Sequence, residues 1–81
     1  MGKWEKFRTS VICGQSDNNI DFAKLCTWLQ RLGFSERTVG SHHIFTHDGI
    51  EEIINLQSGE AGNAKPYQVK QVREIIEKYG F

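Results

Sequence analysis

Apolar residues recur at intervals of three and four positions in three stretches of the chain, and this spacing predicts three amphipathic helices. The helices are expected over residues 3–12, 21–32 and 66–79. Asp21 can cap the amides of the second helix, and Pro66 suits the first turn of the third, where no amide hydrogen is needed. Three glycines follow the apolar stretches as expected helix stops: Gly14, Gly33 and Gly80.

Between the second and third helices the period changes to the alternation typical of strands. Strands are predicted over residues 36–39, 42–47 and 50–57. The dipeptide Asp48-Gly49 predicts a two-residue type I′ hairpin, because both positions of that turn require a residue that tolerates a positive φ. Such a turn would place three pairs of residues opposite each other: His47 and Ile50, Phe45 and Glu52, His43 and Ile54.

The order of these elements is helix, helix, three-stranded antiparallel sheet, helix. This order predicts an α+β fold in two layers, with the helices on one face of the sheet. The 81 residues fit one domain. Within it, residues 1–20 are expected to form an N-terminal helical extension and residues 21–81 the core, with a flexible loop over 58–64. The other face of the sheet, or its edge, is then open to a partner.

Composition and charge restrict the classes of function. Lys and Arg together number 10, as do Asp and Glu, so the net charge is zero and any basic surface for a nucleic acid must be local. Cys13 and Cys26 form no Cys-x-x-Cys motif and are expected to be reduced, with Cys26 in the core; a disulfide between them is the alternative. No apolar run approaches the roughly 20 residues of a membrane span, and the N-terminus is charged where a signal peptide is apolar. We therefore expect a cytoplasmic protein with no membrane partner.

The three histidines, His42, His43 and His47, fall within six positions. Histidine has an unperturbed pKa of about 6.5, which makes it the usual proton-transfer group near neutral pH. Gly40 and Ser41 precede the pair, and there a glycine admits a phosphate close to the backbone while a serine can hydrogen-bond it. His43 and His47 have a helical ligand spacing but lie in a predicted strand without further well-spaced ligands, so we expect no metal and no cofactor. The alternative for each histidine is a surface or half-buried residue without a chemical role.

Basic residues around the last helix form a second polar group. Lys70 and Arg73 are three positions apart and share a helical face, and Lys65 immediately precedes the helix. These side chains could bind phosphates. The alternative is a solvated helical face, because Glu74 and Glu77 are interspersed among them.

Four short motifs occur in an order and spacing that are more specific than any motif alone. They are Leu29-Gln30-Arg31-Leu32-Gly33-Phe34, Gly40-Ser41-His42-His43-Ile44-Phe45, Asp48-Gly49 and Lys65-Pro66-Tyr67-Gln68-Val69. From about Phe22 to the C-terminus, the chain thereby resembles the HicA toxin family. The resemblance implies an αβββα core similar to a double-stranded-RNA-binding domain. It further implies an mRNA interferase that is one half of a type II toxin–antitoxin pair with a HicB-like antitoxin.

The resemblance also implies that His43, the second histidine of the pair, is the catalytic residue. A histidine can remove the 2′-hydroxyl proton of RNA without a metal, and proton transfer of this kind contributes about 10²–10⁴-fold to a rate. The residues expected to bind RNA are Gly40, Ser41, His42, Lys65, Lys70 and Arg73. The zero net charge keeps two alternatives open, namely a non-enzymatic RNA-binding module and a protein-interaction module that uses the N-terminal helix and a strand edge.

Overall fold

A computed structural model describes residues 2–81, and Met1 lies outside the described residues. The three α-helices are α1 (Lys3–Cys13), α2 (Phe22–Arg31) and α3 (Pro66–Tyr79). The three strands are β1 (Ser35–Val39), β2 (His42–Thr46) and β3 (Ile54–Leu56), paired antiparallel in the order β1-β2-β3. Two 3₁₀ turns, Asp17–Asn19 and Glu60–Gly62, complete the chain. The predicted α+β fold with an additional N-terminal helix is therefore confirmed.

The ends of the helices follow from the local sequence. The carboxylate of Asp21 accepts a hydrogen bond from the amide of Lys24 at 3.0 Å, as expected of an N-cap. Gly14 and Gly80 take left-handed conformations at the ends of α1 and α3, with φ of 72° and 73°. Pro66 is the first residue of α3. Each predicted helix therefore ends within one or two residues of its observed limits.

The core lies between the helices and one face of the sheet. Phe45, Ile54 and Leu56 contribute fully buried side chains from the strands. Leu25 and Leu29 of α2 are also fully buried. Helix α1 extends this core, because its Phe7 ring meets the ring of Trp28 edge-on at 5.6 Å and Trp28 is almost completely buried. The remaining buried apolar residues are Val11, Ile20, Phe22, Cys26, Phe34, Ala64, Val69, Val72, Ile75 and Ile76.

The connection between β2 and β3 differs from the predicted hairpin. Ile50 donates its amide to the carbonyl of His47 at 3.1 Å, and Gly49 has a φ of 85°, but Asp48 does not enter the left-handed region. A type I′ turn needs a positive φ at both central residues, so that prediction is wrong. Residues 50–53 leave the ladder, and Glu52 among them accepts hydrogen bonds from Lys78 and Tyr79 of α3.

The correct register is therefore displaced by two residues. Phe45 pairs with Ile54, and His43 pairs with Leu56. Because side chains alternate with a period of two, a displacement by two residues keeps each residue of β2 and β3 on the sheet face that the predicted register gave it. Phe45 and His43 point toward the helices, while His42 and Ile44 lie on the open face. In the part of the chain that the structure describes, no helix is long and apolar enough to span a membrane.

Candidate active site

His43 lies at the rim of the sheet face that packs against the helices, in the second position of β2. Its neighbour on that face, Phe45, is fully buried, whereas 30% of the His43 side chain is exposed. The imidazole and the ring of Phe22 meet edge-on, with their centroids 5.1 Å apart. His43 is therefore held by the core and remains accessible from solvent.

Glu36 of β1 orients this imidazole. Glu36 pairs with Phe45 across the ladder and so shares a sheet face with His43. Its Oε2 accepts a hydrogen bond from Nδ1 of His43, and its Oε1 accepts one from Nε2 of Gln30 at 2.5 Å. An ionised carboxylate can only accept, so the proton of the neutral imidazole lies on Nδ1 and Nε2 keeps its lone pair. The hydrogen bond to Glu36 therefore leaves Nε2 of His43 available to accept a proton.

Cys26 of α2 is the third polar group at this point. Its Sγ, a carboxylate oxygen of Glu36 and a ring nitrogen of His43 all lie within 4.8 Å of one another. Burial, together with the negative charge of Glu36, raises the pKa of the Cys26 thiol to about 12. The thiol is therefore protonated near neutral pH and is a poor nucleophile.

The turn between β1 and β2 is connected to the start of α3 by side chains. Gly40 has a φ of 61°, and Ser41 after it accepts a hydrogen bond at Oγ from Nε2 of Gln57 at 2.8 Å. The other end of the Gln57 amide, Oε1, accepts from Nζ of Lys65 at 3.2 Å. The side-chain amide of Gln68, in the orientation that satisfies both bonds, donates to the backbone carbonyl of Gln57 at 3.0 Å. Its oxygen accepts from the backbone N–H of Gln57 at 3.1 Å. This network brings Ser41 and Lys65 together although they are far apart in the sequence.

The other two histidines have different surroundings. His42 is exposed on the open face of the sheet, where its Nδ1 lies 3.0 Å from Oδ1 of Asn55. The Nδ1 of His47 lies 2.8 Å from the carbonyl oxygen of Asp48, and its ring packs beside other aromatic rings. Only His43 of the three contacts a carboxylate among residues 2–81.

The two cationic candidates of α3 also differ from each other. Arg73 donates from Nη1 to the carbonyl of Val11 at 3.1 Å and to Oδ1 of Asp17 at 3.0 Å. Its Nη2 donates to Oδ2 of Asp17 at 3.3 Å, and only 17% of its side chain is exposed. Lys70 is exposed. We therefore assign Arg73 to the packing of the N-terminal region against α3, while the proposed contact of Lys70 with RNA stays a prediction.

A cavity of about 690 Å³ lies beside the start of α3. Lys65 and Pro66 line it together with residues of the 58–64 segment, but His43 is not among its lining residues. The segment forms a 3₁₀ turn, and the amide of Ala64 donates to the carbonyl of Ile20 at 2.7 Å. The cavity could hold part of a ligand near Lys65, and it is separate from the site around His43.

The sequence reasoning missed Glu36 and Cys26. A signal for Glu36 exists in the chain, because Gly40 and Ser41 form a two-residue turn that pairs Val39 with His42. From that pair the ladder places Glu36 on the same face as His43. Cys26 lies on a helix, and no local pattern predicts its distance from a strand.

Comparisons of the chain with protein-family models, with curated proteins and with solved structures gave no match. The resemblance to the HicA family therefore depends on the four motifs alone and stays a prediction. The chemistry of the site has to be argued from its own residues.

Proposed function

We propose that the protein is an RNA-directed toxin of the HicA type, a metal-independent endoribonuclease in which His43 is the general base. We further propose that it acts in the cytoplasm and is neutralised by a HicB-like antitoxin. The observation that carries the proposal is a partly exposed imidazole whose Nδ1 is hydrogen-bonded to Glu36, so that Nε2 is free to exchange a proton.

The reaction follows from the chemistry of RNA and of imidazole. Nε2 of His43 removes the proton of a ribose 2′-hydroxyl, and the resulting alkoxide forms a bond to the adjacent phosphorus. The bond between phosphorus and the 5′-oxygen of the next nucleotide breaks, and this oxygen takes the proton from the imidazolium. The products are a 2′,3′-cyclic phosphate and a 5′-hydroxyl. The carboxylate of Glu36 stabilises the imidazolium that forms between the two proton transfers.

The negative charge of the reacting phosphate has to be stabilised by hydrogen-bond donors and cations near β2. Ser41 precedes the histidine pair, and Lys65 is joined to it through Gln57. A hydroxyl and an ammonium group on this network can bind phosphate oxygens, and Lys70 adds an exposed positive charge on α3. This placement supports a local basic surface in a chain whose net charge is zero.

The open face of the sheet supports a protein partner. Val39, which pairs with His42 at the end of β1, and Ile53, which precedes β3 beside Ile44, expose 52% and 56% of their surfaces although both are apolar. Apolar groups on a face that also carries His42 suit a protein that covers the sheet when the toxin is neutralised. We assign this face to the antitoxin.

The proposal is tested by RNA cleavage in vitro with a chelator present, comparing the natural chain with His43→Ala. His47→Gln is the matched control, because it changes a histidine outside the site. We expect His43→Ala to reduce the rate by about 10²–10⁴-fold and His47→Gln to retain it. Induction of the natural chain should also arrest growth, whereas induction of His43→Ala should not.

Two results would contradict the proposal. Equal cleavage by the natural chain and by His43→Ala removes His43 from the chemistry. RNA binding without cleavage at any pH, weakened by salt and by Lys70→Ala, identifies a non-enzymatic RNA-binding module instead.

A further inference from the structure

Three side chains of different chemical type meet at one point near the edge of the core. Cys26 comes from α2, Glu36 from β1 and His43 from β2, and their Sγ, carboxylate oxygen and ring nitrogen lie within 4.8 Å of one another. We propose that these three residues form a binding site for a divalent transition-metal ion, with Zn²⁺ as the ion that suits them best.

The types of ligand favour zinc over magnesium or calcium. A thiolate and an imidazole are ligands for zinc and its neighbours in the first transition row, whereas magnesium and calcium prefer oxygen. Two anionic ligands, the Cys26 thiolate and the Glu36 carboxylate, would balance the double positive charge of the ion. The charge balance matters because all three ligands are at least partly buried, and an uncompensated charge is costly there.

The distances suit a metal of this size. Bonds of about 2.0–2.3 Å in a tetrahedral site place the ligand atoms roughly 3.3–3.8 Å apart. The three ligand atoms lie within 4.8 Å of one another, and reaching that range requires the hydrogen-bonded His43–Glu36 pair to move apart. His43 would give up its hydrogen bond to Glu36 and carry its proton on Nε2, so that Nδ1 could bind the ion. In this metal-bound form Nε2 cannot act as a base, so the proposed cleavage belongs to the metal-free form of the chain. The Cys26 thiol would release its proton to solvent.

Neighbouring residues already hold two of the ligands in place. Gln30 donates to Oε1 of Glu36, which leaves Oε2 directed toward the site. Phe22 packs edge-on against the ring of His43. Outer contacts of this kind orient metal ligands in proteins. Because His43 is 30% and Glu36 17% exposed, the fourth position is accessible to water or to another ligand.

The test is titration of the metal-free full-length chain with Co²⁺, a spectroscopic substitute for Zn²⁺, followed by competition with Zn²⁺. We expect one ion per chain, a thiolate-to-cobalt charge-transfer band, and displacement of that band by Zn²⁺. Cys26→Ser should abolish the band, and Cys13→Ser, which changes the exposed cysteine outside the site, should preserve it. Glu36→Gln should weaken binding by about tenfold or more while the thiolate band remains at saturation.

A second readout covers the case in which a variant folds poorly. Saturating Zn²⁺ should raise the Tm of the natural chain and of Cys13→Ser, because the three ligands are close together in the folded form and the ion therefore binds it more tightly than the unfolded chain. The proposal is overturned if no saturable binding occurs, if the band persists in Cys26→Ser, or if it is lost in Cys13→Ser. The titration contains no RNA, so its outcome is independent of the cleavage that we propose.

Discussion

The carboxylates of Glu36 and Asp17 each bind a basic or cationic side chain, and the two pairs have different consequences. Glu36 binds His43 across neighbouring strands, beside the Cys26 thiol. Asp17 binds Arg73, and the guanidinium also binds the carbonyl of Val11. Both pairs are partly buried, with 17% of the Glu36 and of the Arg73 side chain exposed. Burial alone therefore does not distinguish a functional pair from a structural one.

The difference lies in the chemistry of the base. An imidazole can gain and lose a proton near neutral pH, and the carboxylate leaves one of its nitrogens available. A guanidinium remains charged, and its hydrogen bonds to Asp17 raise the pKa of Arg73 further above its already high value. Arg73 instead joins α3 to Asp17 and Val11, which lie 56 and 62 positions earlier in the sequence. The first pair can support a reaction, and the second ties the N-terminal extension to α3.

Among substitutions of the residues that hold these bases, the largest effect is expected from Glu36→Gln, which tests whether the first pair supports catalysis. Glu36 acts through His43 and does not need to touch RNA, so we expect kcat to fall by about 10–100-fold with KM nearly unchanged. The measurement is RNA cleavage with a chelator present, and Glu51→Gln is the control because Glu51 is exposed. A rise in KM without a loss of kcat would assign Glu36 to substrate binding instead.

A smaller effect, on stability rather than on rate, is expected from Arg73→Met. This change leaves Asp17 and the carbonyl of Val11 without their partner, and we expect the free energy of unfolding to fall by about 1–2 kcal/mol. Lys70→Met on the same helix should change it by less than about 0.5 kcal/mol. Urea unfolding measures both. Equal stability of the two variants would mean that Arg73 is not the structural residue we describe.

The smallest effect is expected at a third carboxylate, Glu52, whose side chain is 34% exposed. Hydrogen bonds from Lys78 and Tyr79 lower the pKa of Glu52 from 4.5 to about 2. Because the pKa of Glu52 is lower in the folded chain than in the unfolded chain, its ionised form stabilises the fold. This contribution is complete at pH values above 4.5 and is lost as the pH falls through about 2. Glu52→Gln should therefore lower the Tm slightly near pH 7, and the difference should vanish near pH 2. A difference that grew toward low pH would contradict this sign.

The sequence predicts the helices well because their signals are local. Asp21, Pro66 and the glycines that follow each helix lie within a turn of the ends they determine. The Asp48-Gly49 turn is misjudged because its outcome depends on a distant contact. Glu52 is bound by Lys78 and Tyr79, and these residues lie far along the chain in α3. Contacts of this kind leave no signal in a short window of sequence.

The candidate site is predicted only in part for the same reason. His43 follows from the motif that contains it, but its orientation depends on Glu36, which requires the strand register. Cys26 requires the packing of α2 against the sheet, which no local pattern of the sequence predicts. The predicted contact of Arg73 with RNA depends on its helical face, and the sequence gives no sign of its ion pair with Asp17.

The most direct test of the catalytic pair is a double-mutant cycle in single-turnover RNA cleavage with a chelator present. It compares the natural chain with Glu36→Gln, His43→Ala and the double variant, after each has been shown to fold. Because Glu36 acts only through the imidazole, we expect the double variant to be no slower than His43→Ala alone. Losses that multiply, or a His43→Ala variant as fast as the natural chain, would contradict a reaction carried by His43 and oriented by Glu36.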